Sequence, residues 1–105
     1  MNDLTEQQIR TLETLARRGF QFVVFPLFAN HIGVKAGNCA ALLGSTGDGK
    51  LAIFGEACYL VEGNLSVLVR RGPRRYFVWK QREVEATEER LKELGRFVAE
   101  LASLL

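Results

Sequence analysis

A histidine and two cysteines are the residues of this chain best suited to covalent or metal chemistry. His31, Cys39 and Cys58 follow the spacing H-x7-C-x18-C. A cysteine beside a histidine can act as a nucleophile, and all three side chains can ligate metals. The spacing matches no zinc pattern, and three ligands leave a zinc site incomplete. Both cysteines stand in apolar contexts, NCAA and ACYL, which favour buried thiols, so we expect no metal and no cofactor. A thiol-dependent enzyme that uses Cys39 or Cys58 with His31 is one hypothesis.

A glycine-rich stretch, GSTGDGKL at residues 44–51, matches most of the motif of a phosphate-binding P-loop. Gly44, Gly49 and Lys50 occupy the fixed positions of G-x-x-x-x-G-K-[ST], but Leu51 replaces the hydroxyl that binds magnesium. A P-loop delivers its glycines onto a helix N-terminus, whereas LAIFGEACYLVEG follows here and is typical of strands. We therefore predict a β-hairpin loop with a solvated Lys50, and no nucleotide site.

The stretch RRGPRRYFVWKQR, residues 70–82, concentrates positive charge. It holds six of the 14 basic residues and no acid, which leaves 8 basic residues against all 12 acids elsewhere. A projecting hairpin of this kind could contact phosphates and stack on bases. The alternative is a solvated turn whose arginines protect edge strands from aggregation. The candidate binding residues of this hairpin are Arg70, Arg71, Arg74, Arg75, Tyr76 and Trp79.

The length and composition of the chain are typical of a single globular domain. The chain has 105 residues, of which 48% are hydrophobic and 25% charged, and its net charge is +2. These values are ordinary for one globular domain, which we expect to span residues 1–105. No apolar run approaches the ~20 residues that cross a bilayer, and the polar start MNDLTEQQIR does not resemble a signal peptide. We expect a cytoplasmic protein with no membrane partner.

Two amphipathic helices are predicted at the ends of the chain. Thr5 and Gln8 form a capping-box pattern before an apolar stripe, which predicts a helix over 6–18. Thr87 caps the second helix, and two glutamates follow it in the first turn. The apolar stripe that begins at Leu91 predicts a helix over 88–104.

The middle of the chain is predicted to be a β-meander. Residues 20–82 are rich in β-branched and aromatic residues and are interrupted by glycines at short intervals. FQFVVFPLF reads as a strand in which Pro26 marks an edge or a bulge, and NHIGVKAGN as an irregular link that carries a short extended piece. The further candidate strands are NCAALLG, KLAIFGE, ACYLVEG, NLSVLVRR and RRYFVWKQR. Their connections are too short for crossover helices, so the pairing should be antiparallel. The predicted fold is α+β: a helix, about five to six antiparallel strands, and a helix.

Several strands are apolar on both sides, as in FQFVVFPLF and YFVW. Two helices cover roughly one face of a sheet, so the other face must meet a second subunit, take a ligand, or close into a roll. A symmetric homodimer is the simplest solution. We therefore expect a non-catalytic binding or accessory module, adaptor or chaperone-like, whose partner is a second copy or another protein. Polyanion or nucleic-acid binding through the 70–82 hairpin is the main alternative.

Overall fold

The computed structural model describes residues 4–105 and confirms the α+β fold. Residues 1–3, the first part of the polar stretch MNDLTEQQIR that predicts no signal peptide, lie outside this range. Helix α1 spans Glu6–Arg17 and helix α2 spans Glu88–Leu104. Between them the described residues form seven strands: β1 (Gln21–Val23), β2 (Ile32–Ala36), β3 (Cys39–Ser45), β4 (Leu51–Tyr59), β5 (Val67–Arg71), β6 (Arg74–Trp79) and β7 (Arg82–Glu85).

Both helices begin where their capping residues predict. The Thr5 side chain accepts a hydrogen bond from the Gln8 backbone N–H, and the Gln8 side chain accepts one from the Thr5 backbone N–H. The Thr87 side chain accepts from the Arg90 N–H at the start of α2. Each bond satisfies a backbone donor that the first helical turn leaves free.

The first sheet has the order β1-β2-β3-β4, with every neighbouring pair antiparallel. The structure changes the extent of two elements predicted for it. The strand predicted at 20–28 is reduced to β1, because a 3-10 turn begins at Pro26. The short extended piece predicted within NHIGVKAGN is β2, a strand that lies inside the sheet, between β1 and β3. Tertiary pairing on both sides overrides its weak strand propensity.

Strand β4 merges two predicted strands, KLAIFGE and ACYLVEG. Its register with β3 passes from Leu42–Phe54 to Ala40–Cys58, so three residues of β4 stand where β3 has one. Gly55 adopts a φ of 69° in this bulge, a conformation that glycine tolerates. A bulge bends its strand and increases the local twist.

The second sheet has the order β5-β6-β7 and is also antiparallel. Its first turn is Gly72–Pro73, in which Gly72 has a φ of 60° and permits a two-residue hairpin. The strands thus form two open sheets, in place of the single meander or the closed roll considered from the sequence.

Helix α2 packs on both sheets and so joins them. Phe97 and Leu101 lie in the main core with Leu15 of α1 and the helix-facing residues of β3. Leu91 packs instead around Phe77 of the second sheet, and Leu94 packs against both cores. The molecule is elongated, with extents of 46 × 25 × 22 Å, because the two sheets lie along one helix.

Candidate functional site

The arginine-rich hairpin is divided between two faces of the second sheet. Arg70 pairs with Arg75, and Arg71 with Arg74, across β5 and β6. Successive residues of a strand point to opposite faces, so Arg70 and Arg75 share the α2 side with Phe77, and the other pair lies on the reverse. The predicted patch of four arginines is therefore two pairs that cannot all contact one flat ligand.

Ion pairing distinguishes the four arginines. Arg71 forms a salt bridge with Glu83, and its guanidinium lies 5.3 Å from the ring centroid of Tyr76. Arg70, Arg74 and Arg75 are exposed and form no salt bridge with any residue of the range 4–105. These three guanidinium groups are therefore available to an acidic ligand.

The two predicted stacking residues do not form a common platform. Tyr76 and Trp79 are three residues apart on β6, which places them on opposite faces. Trp79 packs at the edge of the Phe77 core, with the Lys80 ammonium 5.1 Å from its ring centroid. A base stacked on one ring would not reach the other.

The structure places GSTGDGKL at the turn between β3 and β4. Gly44 lies in β3, Gly49 and Lys50 precede β4, and Leu51 begins that strand, so a strand stands where a P-loop requires a helix. The Lys50 side chain is exposed. The loop is instead attached to α1: the Thr5 hydroxyl donates to the Gly49 carbonyl at 2.6 Å, and the Gln8 amide donates to the Lys50 carbonyl at 2.9 Å.

The two thiols lie on opposite faces of the first sheet. Cys39 faces the main core, and Cys58 faces the other side, where its sulfur accepts a hydrogen bond from the Ser66 N–H at 3.4 Å. Burial raises the pKa of Cys39 to about 12 and also raises the pKa of Cys58. Both thiols are thus protonated near neutral pH, which gives no support to a nucleophilic role.

His31 lies apart from Cys39. Its ring stacks on Phe54 at a centroid distance of 4.0 Å, and its Nδ1 is buried without a hydrogen-bond partner among the described residues. Phe54 pairs with Leu42 and therefore points away from the face that carries Cys39. Across residues 4–105, no group of three or more His, Cys, Asp or Glu side chains could hold a metal ion.

An open apolar face lies on the side of the first sheet opposite the helices and extends to Val67 of β5 in the second sheet. Its exposed members include Leu27 at 91%, Val67 at 67%, Phe54 at 49% and Phe28 at 38% of their maximal surface. The open face consists of Phe25, Leu27, Phe28, Leu42, Phe54, Leu65 and Val67.

Two adjoining hollows lie in the open face. One measures about 310 Å³ and lies between the Pro26 turn and Trp79, and the other measures about 260 Å³ and lies over Leu42 and Phe54. Phe28 and Leu65 line both hollows and separate them. The sequence predicted an uncovered face but not these residues, because Leu65 and the Pro26 turn join it only through the tertiary fold.

None of the helices between residues 4 and 105 is long and apolar enough to cross a membrane. Comparison of the chain with known protein families, curated proteins and solved structures finds no match.

Proposed function

We propose that this protein is a non-catalytic binding module, adaptor or chaperone-like, that forms a homodimer through its open face. The observation that supports the proposal is the exposure of Leu27, Phe54 and Val67 around two adjoining hollows. Contiguous apolar patches on soluble proteins mark interaction sites, because leaving them in water is unfavourable. Closed symmetric pairs are the commonest way to cover such a patch.

The geometry of the patch suits an isologous contact. Leu27 projects from the Pro26 turn with almost all of its surface exposed, and hollows lie beside it. In a two-fold interface the projecting side chain of one copy can fill the hollow of the other, and each contact occurs twice. Side chains that fill well-packed, desolvated pockets near the centre of an interface contribute most of its binding energy.

Analytical ultracentrifugation tests the dimer. The wild-type protein should sediment as a dimer at micromolar concentration, and Leu27→Ser with Phe54→Ser should raise the dimer dissociation constant at least about tenfold. Ile9→Ser is the matched control, because Ile9 is 45% exposed on α1, away from the open face. A wild-type protein that stays monomeric throughout the micromolar range would refute the proposal.

A second candidate function is polyanion binding by the 70–82 hairpin. It is favoured by the three exposed arginines that form no salt bridge within residues 4–105. Single-stranded oligonucleotides should then be retarded in a gel, less so as salt increases, because phosphate contacts release counterions. Replacing Arg70, Arg71, Arg74 and Arg75 with Ser should abolish the retardation. If retardation persisted in that variant, the hairpin would not be the binding site.

A further inference from the structure

A cleft separates the two sheets, and we will call it the inter-sheet cleft: the gap between β4 and β5, bounded by Gly55–Cys58 and Ser66–Leu68. Among the described residues, β4 pairs only with β3, and β5 only with β6. Each strand therefore presents a row of backbone N–H and C=O groups to the gap.

The cleft is closed at one end and open at the other. At the closed end the Ser66 hydroxyl donates to the Tyr59 carbonyl at 2.6 Å, and the Ser66 N–H donates to the Cys58 sulfur at 3.4 Å. Beyond these bonds no ladder joins β4 to β5 within residues 4–105. The bulge at Gly55 lies in this part of β4 and bends it, which accounts for the separation.

The cleft can be entered from both faces of the sheet. A cavity of about 500 Å³ lies on the α2 side, over Phe77 and Leu94, and the hollow of about 260 Å³ lies on the open face. The same five residues line both cavities: Gly55, Glu56, Cys58, Ser66 and Val67. A gap that continues through a sheet has the shape left by a missing strand, whose side chains would point alternately into the two cavities.

We propose that the inter-sheet cleft binds an extended, apolar segment of a partner protein by strand addition, and that acidic residues at one end of the segment contact Arg70 and Arg75. Peptides that add a strand to a sheet gain affinity from the main chain and specificity from alternate side-chain pockets. A strand buried on both faces is apolar throughout, and most of the side chains that line the two cavities are apolar, with Glu56 and Ser66 as the polar residues common to both.

The charge of the partner segment follows from the register of β5 and β6. Leu68 pairs with Phe77 at the cleft, and the next pair on the same face is Arg70–Arg75. Neither arginine forms a salt bridge with another described residue. The two exposed guanidinium groups at this end favour a partner segment that carries acidic residues there.

The proposal specifies a ligand for the proposed binding module. The cleft shares Val67 and the hollow of about 260 Å³ with the open face, whereas Leu68, Arg70 and Arg75 lie outside it, so a dimer would cover one entrance of the cleft but the proposal does not require one. Failure of the ultracentrifugation test would leave it standing, and failure of the peptide test below would leave the dimer standing.

The probes are fluorescein-labelled hexapeptides of four valines with two aspartates, placed before the valines in one peptide and after them in the other. Fluorescence anisotropy should give a dissociation constant of about 1–100 µM for at least one order. Peptides with lysines in place of the aspartates should bind at least about tenfold more weakly. N-methylation of the two central backbone nitrogens should abolish binding, since it removes main-chain donors without changing the side chains.

Neighbouring arginines provide matched variants. Arg70→Ser with Arg75→Ser should weaken binding about fivefold to tenfold, whereas Arg71→Ser with Arg74→Ser, on the opposite face of the same strands, should change it less than about twofold. Hydrogen exchange should show that the bound peptide protects amides of 55–58 and 67–71. A change in the fold caused by the arginine substitutions would not produce this protection, because it requires the peptide to be present.

Three results would overturn the proposal. The first is no binding of either aspartate peptide below about 1 mM. The second is equal binding of the N-methylated or lysine peptides. The third is protection of 68–71 that rises with protein concentration in the absence of peptide, both in the wild type and in the Leu27→Ser, Phe54→Ser variant, which would identify a second copy as the occupant.

Discussion

Gly33 illustrates how closely single residues are packed in the first sheet. An added Cβ would lie 2.2 Å from the Val23 carbonyl oxygen and 2.7 Å from the Phe25 ring. Since the backbone oxygen cannot move without breaking the β1–β2 pairing, we expect Gly33→Ala to cost at least about 3 kcal/mol of unfolding free energy. Urea denaturation measures this cost.

Gly44→Ala is the control for this prediction. Its added Cβ would meet His31 at 3.6 Å and Phe54 at 3.8 Å, which are ordinary contacts. We expect its unfolding free energy to stay within about 1 kcal/mol of the wild type. Equal losses in the two variants would contradict the close approach at Gly33.

The buried thiols make stability depend on alkaline pH. Burial raises the pKa of Cys39 from 9.0 to about 12, so between these values the unfolded chain loses the thiol proton while the folded chain keeps it. The stabilisation is complete below pH 9 and is lost as pH rises towards 12. The unfolding free energy should therefore fall more steeply over pH 9–11 in the wild type than in Cys39→Ala. Parallel pH profiles of the two proteins would refute the assignment.

Some residues of the candidate site could be predicted from the sequence, but the faces on which they lie could not. The hairpin and its arginines could be predicted, because charge and a Gly-Pro turn are local features. Their division over two faces depends on the β5–β6 register, which the sequence alone does not determine. Leu65 could not be assigned to a surface at all, since its role depends on where a loop crosses the sheet.

Helix α1 is attached to the β3–β4 loop by the buried side chain of Gln8. The Gln8 amide nitrogen donates to Lys50 O at 2.9 Å and to Ser45 Oγ at 3.1 Å, and the amide oxygen accepts from Thr5 N–H. Gln8→Ala leaves several of these buried groups unsatisfied, so we expect a loss of about 2–3 kcal/mol and faster hydrogen exchange in residues 46–50.

Gln7→Ala is the matched control, because Gln7 is exposed on the same helix turn. It should change the unfolding free energy by less than about 0.5 kcal/mol. If both variants exchanged residues 46–50 at the wild-type rate, Gln8 would not hold the loop.

The helices and β3 could be predicted to within one residue, whereas the extents of β1, β2 and β4 could not. Caps such as Thr5 and Thr87 act within one turn, so the chain itself contains the whole signal. β2 becomes a strand only because β1 and β3 pair with it on either side, and β4 stays continuous through Gly55 only because β3 accommodates the bulge. Such non-local pairing has no local signature.

The two sheets of the molecule are held together through α2, and Leu94 of this helix contacts the cores of both sheets. Leu94→Ala should cost about 2 kcal/mol and weaken the coupling between the sheets, so that β5–β7 amides exchange faster than β1–β4 amides. Val98→Ala, which packs on the first core, should destabilise the protein without separating the two exchange rates. Uniform exchange in Leu94→Ala would show that other contacts couple the sheets.

The position of α2 along the chain has a consequence for synthesis on the ribosome. Both sheets precede α2 in the sequence, yet α2 covers the inner faces of both. At about 5–20 residues per second, translation of the 17 residues of α2 takes roughly 1–3 s. During that interval the emerging strands expose apolar surface on two sides, so the nascent chain is most vulnerable to aggregation just before its second helix is made.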